Sequence, residues 1–417
     1  MSHEQTHFNV IVIGGGASGL MAAGVAASRG RSVLVLEKNA APGRKLDMTG
    51  GGRCNITNVS SQTTREFLSR YGDEQVYFYS PFSQFSVKDT LVFFELRGLS
   101  FKEESGGRLF PSTEKASDVT RTLVNYMNEG GVVVKTNTTV LSLSAENGRI
   151  TEVKTTNGTY TADSIVLATG GVSHPETGST GDGFGWLREL GHTIKTPDAT
   201  LVPLKVSDAW IAELAGVTLD TMKITFLADG TKAFSKQGRL LFTHFGISGP
   251  LVINSAKEVG ELIKKGETVT ATVDLFPDKE FPELDRHIID TIDANKNKLF
   301  KNILDDIVPP AMSAVVMRLL ALPDSEIRAH SLTQEERRRL VHLLKALPLK
   351  IEGLMGLDRA IVSDGGIMLD EIDTREMRSR KIENLFVTGD LLNVNRPSGG
   401  YSLQLCWTTG YVAGMHA

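Results

Sequence analysis

Residues 8–37 read FNVIVIGGGASGLMAAGVAASRGRSVLVLE, which joins two β-branched runs through a glycine-rich turn and a run of small residues. The runs at 8–13 and 32–37 are typical of strands buried in a parallel sheet, and residues 17–28 are typical of a helix. This order predicts a βαβ unit at the start of the chain.

The turn between the first strand and the helix carries the pattern Gly14-x-Gly16-x-x-Gly19. Gly14 allows a tight turn, Gly16 lets the backbone approach a pyrophosphate, and Gly19 lets helix and strand pack closely. The helix N-terminus favours an anion through its free N–H groups and its dipole. A purely structural turn is the alternative, but the position after a strand favours a dinucleotide in a Rossmann-like domain.

Glu37 ends the second strand, 18 residues after Gly19. An acidic residue at this distance accepts hydrogen bonds from ribose hydroxyls and disfavours a 2′-phosphate. These features define a site for an ADP moiety and leave FAD and NAD both open.

Two further glycine-rich segments favour FAD. Residues 43–46 (GRKL) and 49–55 (TGGGRCN) suit a loop that wraps a long anionic cofactor, although a solvated basic loop is the alternative.

Near the C-terminus, Asp390 follows an apolar run and is placed to bind ribityl hydroxyls. Residues 399–404 (GGYSLQ) open a last helix whose N–H groups would stabilise negative charge at the flavin N1 and O2. A packing helix is the alternative there.

The composition is that of a globular protein. The chain has 417 residues, 41% of them hydrophobic and 23% charged, and its net charge is −4. At roughly 150 residues per domain this predicts two or three domains. The near-balanced charge gives no bulk attraction to nucleic acid or membrane, so neither is expected as a partner. Cys54 and Cys406 form no C-x-x-C pair, and no metal site is expected. We expect a cytoplasmic protein, whose oligomeric state the sequence does not indicate.

The order of the patterns predicts an α/β fold with a Rossmann-like FAD-binding domain that is split in sequence. We assign residues 1–194 and 359–417 to this domain, 195–276 to an inserted β-rich domain, 277–346 to a helical subdomain, and 347–358 to a return strand of the inserted domain. The glycine cluster at 177–183 follows no strand, so no separate nicotinamide domain is predicted.

Longer motifs resemble one family over nearly the whole chain. These motifs are GGGASGLMAA (14–23), GRKLDMTGGGRCNITN (43–58), GRLFPSTEKA (107–116), ATGGVSHPETGSTGDGFGWLRELGH (168–192), LLFTHFGISGP (240–250), and TGD (388–390) followed by GGYSLQ. Together they resemble the bacterial predicted-flavoprotein family, which includes aminoacetone oxidase-like and 3-dehydro-bile acid reductase-like oxidoreductases. The resemblance implies three domains, with a β-barrel-like insertion and a helical subdomain.

The resemblance also implies a set of FAD-binding residues. By position these are Gly14, Gly16, Ala17, Ser18, Gly19, Glu37, Lys38, Arg44, Lys45, Thr49, Gly50, Gly51, Gly52, Arg53, Cys54, Asn55, Val140, Ala168, Thr169, Gly170, Asp390, Gly399, Gly400, Tyr401, Ser402 and Leu403. The sequence departs from the family pattern at Asp390, where Glu is usual, at Asn393, Asn395 and Arg396, where acidic residues are usual, and at Ser402, where Asn is usual.

His174 and His244 are the candidates for proton transfer, because imidazole titrates near neutral pH. A hydrogen-bonded structural role is the alternative for each of them. Cys54 is interpreted as a packing residue.

The first functional hypothesis is an oxidoreductase with non-covalent FAD that acts on a small organic substrate, held between the FAD domain and the insertion. Such an enzyme either oxidises a C–N or C–H bond with O2 or reduces an activated C=C bond, and NAD(P)H is a candidate transient electron donor. The second hypothesis is a protein that docks RNA or another protein, in which FAD is a structural or sensing element without small-molecule turnover.

Overall fold

The computed structural model describes residues 6–200, 202–322, 326–356 and 362–417. The chain forms two compact units, one made of residues 1–200 and 357–417 and the other of residues 201–356. The first unit is therefore discontinuous in sequence, and the second is inserted into it.

Strands and helices alternate in the first unit, and antiparallel strands and helices make up the second. In chain order the strands are β1 (His7–Ile13), β2 (Val33–Leu36), β3 (Thr57–Asn58), β4 (Phe101–Glu104), β5 (Arg108–Pro111), β6 (Val133–Lys135), β7 (Val140–Glu146), β8 (Arg149–Thr155), β9 (Gly158–Leu167), β10 (Ile194–Thr200), β11 (Leu204–Val206), β12 (Thr218–Ala228), β13 (Thr231–Thr243), β14 (Gly246–Ser248), β15 (Val269–Asp274), β16 (Leu347–Leu354), β17 (Val362–Ile367), β18 (Ile372–Asp373), β19 (Arg378–Ser379) and β20 (Leu385–Val387). The α-helices are α1 (Ala17–Ser28), α2 (Arg44–Gly52), α3 (Thr64–Ser69), α4 (Tyr79–Gln84), α5 (Val87–Glu95), α6 (Ala116–Glu129), α7 (Asp182–Glu189), α8 (Pro250–Ile253), α9 (Ala256–Lys264), α10 (Phe281–Ala294), α11 (Phe300–Ile303), α12 (Pro310–Leu320), α13 (Gln334–Lys345) and α14 (Tyr401–His416).

The central sheet of the first unit has the strand order β18-β19-β20-β9-β1-β2-β6, and β8 and β7 continue from β9. The segment β20-β9-β1-β2-β6 of this order is parallel throughout, and β19 pairs with β20 in the antiparallel direction. Residues 10–13 of β1 and all of β2 are buried. Parallel strands of this kind are covered on both faces, which is why their sequences read as continuous apolar runs.

The predicted helix after β1 is confirmed as α1, and its small apolar residues are buried on every side. The C-terminal helix α14 packs directly against it. A Cβ atom added to Gly410 would lie 2.4 Å from the Ser18 carbonyl oxygen, and one on Gly414 would lie 2.5 Å from the Ala22 carbonyl oxygen. The two ends of the chain therefore share one core.

The second unit contains a closed barrel with the strand order β11-β14-β13-β12-β15-β16, in which neighbours are antiparallel. Along β15 every second residue is buried, as expected for a strand with one face in a core. Phe226, Phe242 and Val273 are among the fully buried residues of this unit.

Helices α10 to α13 occupy the region that the sequence predicted to be helical. Helix α13 begins with a capping box, in which the Glu336 N–H donates to Thr333 Oγ1 at 3.2 Å and the Thr333 N–H donates to Glu336 Oε2 at 2.9 Å. Within residues 195–276, which the sequence predicts to be β-rich, residues 250–264 form helices α8 and α9 instead of strands. In α9 the buried residues Ala256, Val259 and Gly260 follow helical spacing, which the strand-like residues on both sides of this segment obscured.

The predicted fold class is confirmed, with a split Rossmann-like unit, an inserted barrel and additional helices. The finer boundaries at 194, 276, 346 and 358 stay a prediction. In the described part of the chain, no helix is both long and apolar enough to cross a membrane.

Candidate functional site

The predicted cofactor residues from both ends of the chain meet at one edge of the central sheet. Gly14 follows β1, Ala168 follows β9, Thr388 follows β20 and Glu37 follows β2, and these strands are parallel neighbours in the order β20-β9-β1-β2. From β1 the chain continues to β2, which is the neighbour of β1 on one side in the sheet, whereas β9 is its neighbour on the opposite side. This makes the ends of β1 and β9 a topological switch point, where open α/β sheets bind ligands.

The three motif glycines have different surroundings. Gly14 has a φ of +103°, and a Cβ atom there would lie 2.5 Å from the Ala168 carbonyl oxygen. A Cβ atom on Gly19 would lie 2.0 Å from the Gly14 carbonyl oxygen, so helix and turn pack in direct contact. A Cβ atom on Gly16 would meet no described atom within 4 Å. The protein thus leaves space beside Gly16, where the pyrophosphate is predicted.

Two helix N-termini are open to an anion. Helix α1 begins after Gly16 and α14 begins after Gly400, so neither N-cap residue has a side chain that could cap the helix. Neither first turn contains an acidic residue. The first-turn N–H groups, which have no partner within the helix, are those of Ala17, Ser18 and Gly19 in α1 and of Tyr401, Ser402 and Leu403 in α14.

Glu37 is buried and already holds the glycine turn. Its Oε2 accepts a hydrogen bond from the Gly15 N–H at 2.8 Å, and its Oε1 accepts from the Asn39 N–H at 2.7 Å and from Asn39 Nδ2 at 2.8 Å. Since a carboxylate offers about four acceptor positions, room for one further donor remains. The predicted ribose contact is compatible with these bonds.

Lys38 and Arg44 are bound to other side chains. Lys38 Nζ donates to Thr180 Oγ1 at 2.6 Å and to Asp182 Oδ2 at 2.8 Å. Arg44 is exposed, and its Nη1 lies 3.5 Å from Asn39 Oδ1. The roles of both residues at the cofactor stay predictions.

Lys45 points toward the segment that follows β9, where its Nζ donates to Ser173 Oγ at 3.1 Å. Burial lowers the pKa of Lys45 from its usual value, and the negative charge of Asp390 opposes this shift. Lys45 therefore places its amine beside the C-terminal half of the predicted site.

The loop at 49–55 is tightly constrained. The backbone leaves the helical conformation at Thr49, Gly50 and Gly51, and φ is +58° and +68° at the two glycines and +84° at Gly52. Cys54 is fully buried, and burial raises the pKa of its thiol to about 12. A thiol at that pKa stays protonated near neutral pH, as its interpretation as a packing residue requires.

The same loop is bound to the hairpin of β4 and β5. Arg53 forms ion pairs with Glu104 and with Glu114, and its guanidinium lies 4.2 Å from the centre of the Phe110 ring. The Leu109 N–H donates to Asn55 Oδ1 at 3.2 Å. Arg53 and Asn55 thus have clear structural partners, and a direct contact of either residue with the cofactor stays a prediction.

Thr169 has an unsatisfied hydroxyl. Its Oγ1 is buried and has no hydrogen-bond partner among the described residues. It lies between Ala168 and Gly170, at the end of β9. Val140, the predicted adenine contact, is buried at the first position of β7.

The start of α14 is fixed by neighbouring backbone groups. A Cβ atom on Gly400 would lie 2.4 Å from the Thr57 carbonyl oxygen, and Asn58 Nδ2 donates to the Gly399 carbonyl oxygen at 3.0 Å. The Tyr71 hydroxyl donates to the Tyr401 carbonyl oxygen at 2.9 Å. These contacts hold the N-terminus of α14 in place without using its first-turn N–H groups.

Asp390 lies in a 3-10 turn after β20 and forms an ion pair with Arg396, with Nη1 and Oδ1 at 3.1 Å. In the sequence, Arg396 stands out only as a departure from the family pattern, and this pairing was not predicted. The available signal was an acid and a base six residues apart in a segment bounded by glycines.

The two candidate histidines differ in their surroundings. His174 has a φ of +53°, and its Nδ1 lies 2.9 Å from Glu176 Oε1. His174 is adjacent to Ser173, the partner of Lys45, so it belongs to the predicted cofactor region. His244 is exposed in the turn between β13 and β14, in the second unit. Both catalytic assignments stay predictions.

The residues present fit FAD. The gap beside Gly16 and the open N-terminus of α1 suit a diphosphate. The buried Thr169 hydroxyl and the buried Nε of Arg396 both lack partners among the described residues, so each can bind a polar ligand group. The open N-terminus of α14 suits the part of a flavin that becomes negative on reduction.

The chain is similar to known proteins over nearly its whole length. The family model described as HI0933-like protein Rossmann domain matches residues 8–416. The chain is 32% identical over 415 residues to the 3-dehydro-bile acid delta(4,6)-reductase of Clostridium scindens, which covers 97% of this chain and 98% of the relative. It is 28% identical over 408 residues to the ribosomal RNA dihydrouridine synthase of Escherichia coli, with 97% and 96% covered.

One solved structure, 3-ketosteroid delta1-dehydrogenase from Sterolibacterium denitrificans, matches with a TM-score of 0.56 and 14% identity over 98% of this chain and 99% of that chain. At this identity the match supports the fold alone. The fold and the site define a Rossmann-type flavoprotein of the oxidoreductase class. The chain belongs to the HI0933-like family.

Proposed function

We propose that this protein uses FAD to reduce a C=C bond that is conjugated with a carbonyl group. The observation that carries the proposal is the full-length similarity to a 3-dehydro-bile acid delta(4,6)-reductase. The second relative is named for dihydrouridine, in which the C=C bond next to a uracil carbonyl is saturated. Both names therefore describe the same bond change, and of the two directions considered from the sequence this supports reduction.

The proposed binding of FAD uses residues from both ends of the chain. The α1 N-terminus with Gly16 would hold the diphosphate, Glu37 the ribose, and Asp390 the ribityl chain. FAD bound there supplies a two-electron carrier that transfers hydride to an electron-poor carbon. The N-terminus of α14 would stabilise the negative charge of the reduced cofactor.

Reduction of a conjugated C=C bond requires a proton as well as a hydride, and we assign proton delivery to His174. Glu176 Oε1 lies 2.9 Å from Nδ1, and this contact orients the ring. In the proposal, Nε2 delivers the proton. The hydrogen bond from His174 keeps the pKa of the Glu176 carboxyl below its usual value, so Glu176 stays an acceptor at neutral pH. His244, exposed in its turn, is the weaker candidate.

An anaerobic experiment tests the reaction. Protein containing bound flavin is reduced with NADH or NADPH and mixed with a steroid that has a 3-oxo group conjugated to a C=C bond. We expect reoxidation of the flavin and a product heavier by two hydrogens, while the saturated 3-oxo steroid gives neither. If the conjugated ketone does not reoxidise the reduced flavin, but amines reduce the oxidised protein, the enzyme is an amine oxidase and the proposal fails.

A second candidate substrate is uridine in ribosomal RNA, favoured by the E. coli relative. The net charge of −4 provides no bulk attraction for RNA, so we place the small molecule first. Unmodified ribosomal RNA in the same anaerobic assay distinguishes the two. Reoxidation by RNA but not by the steroid would make RNA the substrate. Binding of RNA without reoxidation would support the docking hypothesis instead.

A further inference from the structure

The ion pair between Asp390 and Arg396 is the strongest feature without an assigned role. Arg396 is 2% exposed, and it donates from Nη1 to Asp390 Oδ1 at 3.1 Å and from Nη2 to the Leu392 carbonyl oxygen at 2.6 Å. Its Nε is buried and has no partner among the described residues. A buried donor without an acceptor is costly, so the arrangement points to an acceptor that the protein itself does not supply.

The surroundings of this pair place it in the predicted cofactor site. A Cβ atom on Gly389, next to Asp390, would lie 2.7 Å from Ser18 Oγ at the start of α1. A Cβ atom on Gly183 would lie 2.3 Å from Thr169 Oγ1 and 2.9 Å from the Leu391 side chain. The unsatisfied Thr169 hydroxyl and the segment that carries the ion pair are therefore close neighbours.

We propose that Arg396 is a positioning residue for the flavin. Arg396 holds Oδ1 of Asp390 and thereby turns Oδ2 toward a ribityl hydroxyl. The Nε–H of Arg396, which has no acceptor in the described protein, donates to an acceptor atom of the cofactor. Its buried positive charge also balances Asp390, which would otherwise oppose the negative charge of the reduced flavin. The inference rests on the proposed use of FAD and not on the identity of the substrate.

The charge balance predicts opposite effects when either partner is changed. Arg396→Gln leaves the Asp390 carboxylate unbalanced, so the reduced, anionic cofactor is disfavoured and its midpoint potential falls. Asp390→Asn leaves the guanidinium unbalanced, so the potential rises. The double variant removes both charges, and its potential lies between those of the single variants. A merely structural role would not produce shifts of opposite sign.

The test measures FAD affinity and midpoint potential on FAD-loaded protein, without turnover. Loss of a charged hydrogen bond corresponds to FAD binding that is about 10-fold or more weaker in Arg396→Gln. Arg396→Lys keeps the positive charge, so its midpoint potential is expected to be closer to the wild-type value than its FAD affinity is. The matched controls are Arg375→Gln and Asp373→Asn, because this pair is also an arginine–aspartate ion pair but its arginine is 72% exposed. Neither control is expected to change affinity or potential.

Unchanged potential and affinity in Arg396→Gln, or shifts of the same sign in both single variants, would overturn the proposal. If Arg396→Gln does not fold, Asp390→Asn alone decides, because a potential that fails to rise contradicts it. Failure of the steroid or RNA assay would leave these measurements unaffected, so failure of the substrate assignment can be distinguished from failure of this inference.

Discussion

Gly16 and Gly19 belong to one motif but face different surroundings, which gives a prediction at the residue scale. Gly16 has φ −84° and ψ −170°, which any residue can adopt, and a Cβ atom there meets nothing within 4 Å. Gly16→Val is therefore expected to fold with the thermal stability of the cofactor-free wild type and to bind FAD at least about 10-fold more weakly. Calorimetry and flavin titration measure both quantities.

Gly19→Ala is the matched comparison. Its Cβ atom would lie 2.0 Å from the Gly14 carbonyl oxygen, so this variant is expected to be destabilised with or without FAD. If Gly16→Val binds FAD normally, the space beside Gly16 is not the diphosphate site.

His174 provides a second prediction at this scale. If it delivers the proton, His174→Ala slows reoxidation of the reduced flavin by substrate about 100-fold or more, as is usual for loss of a general acid. Flavin affinity and reduction by NAD(P)H are expected to stay unchanged. Stopped-flow absorption separates these steps, and the exposed His7, replaced by Ala, is the control. Equal rates in His174→Ala and wild type would exclude the proton-donor role.

Gly14, Gly16, Gly19 and Glu37 could be picked out from the sequence because their spacing after a strand is local, and their contacts with the cofactor stay a prediction. The pairing of Arg396 with Asp390 was not predicted. That contact depends on how an irregular segment folds back on itself, and no periodic pattern encodes such a path.

At the element scale, a buried network connects the turn after α7 to the hairpin of β18 and β19. Ser379 Oγ accepts hydrogen bonds from the N–H groups of Lys381 and Ile382, so its own proton must go to His192 Nε2 at 2.9 Å. His192 is therefore neutral, with Nδ1–H donating to Glu371 Oε2 at 2.7 Å. Protonation of His192 Nε2 would place its N–H against the Ser379 O–H, so that two hydrogen-bond donors would face each other.

This network predicts loss of stability in acid. Burial lowers the pKa of His192 from its usual value of 6.5. The contribution of His192 to the free energy of unfolding is therefore fully present above pH 6.5 and decreases as the pH falls below that value. Burial alone would raise the pKa of Glu371, but hydrogen bonds from Lys381, His192 and Thr193 lower it from 4.5 to about 2. The contribution of Glu371 to the free energy of unfolding is therefore present above pH 4.5 and is lost toward pH 2. Both groups therefore act in the same direction.

Urea unfolding between pH 7 and pH 4.5 checks this prediction. His192→Asn cannot be protonated, so the pH dependence of its unfolding free energy is expected to be flatter than that of wild type between pH 6.5 and 4.5. His416→Asn, a change at an exposed histidine, is expected to keep the wild-type slope. An unchanged slope in His192→Asn would show that His192 does not titrate in this window.

The elements that sequence reasoning predicted best have a strong local signal. Helix α1 has its predicted bounds, and β1 and β2 differ from their predicted ranges by at most one residue at either end. Helices α8 and α9 were missed because their short apolar segments fit strand and helix patterns equally well and are flanked by genuine strands.

At the scale of the whole molecule, the insertion is closed on itself. Leu204 of β11 pairs with Leu354 of β16, so the two ends of the inserted unit are neighbours in the barrel. In the first unit, Thr200 of β10 pairs with Val362 of β17, so the two ends that receive the insertion are also neighbours. Each unit thus has a continuous core that does not depend on a long connection.

We therefore predict that residues 201–356 fold when expressed alone, with a cooperative thermal transition. Replacing 201–356 by a short Gly-Ser linker should give a first unit that still binds FAD, since the proposed cofactor residues all lie in that unit. Circular dichroism and flavin titration test the two parts. A linker variant that folds but does not bind FAD would show that the insertion contributes to the cofactor site.

The central claim is that both ends of the chain bind a single FAD. Mass spectrometry of the compound released from the native, purified protein by denaturation tests it most directly. The account predicts FAD at about one molecule per chain. Release of a nicotinamide dinucleotide, or of no dinucleotide from protein that also takes up no added FAD, would contradict it.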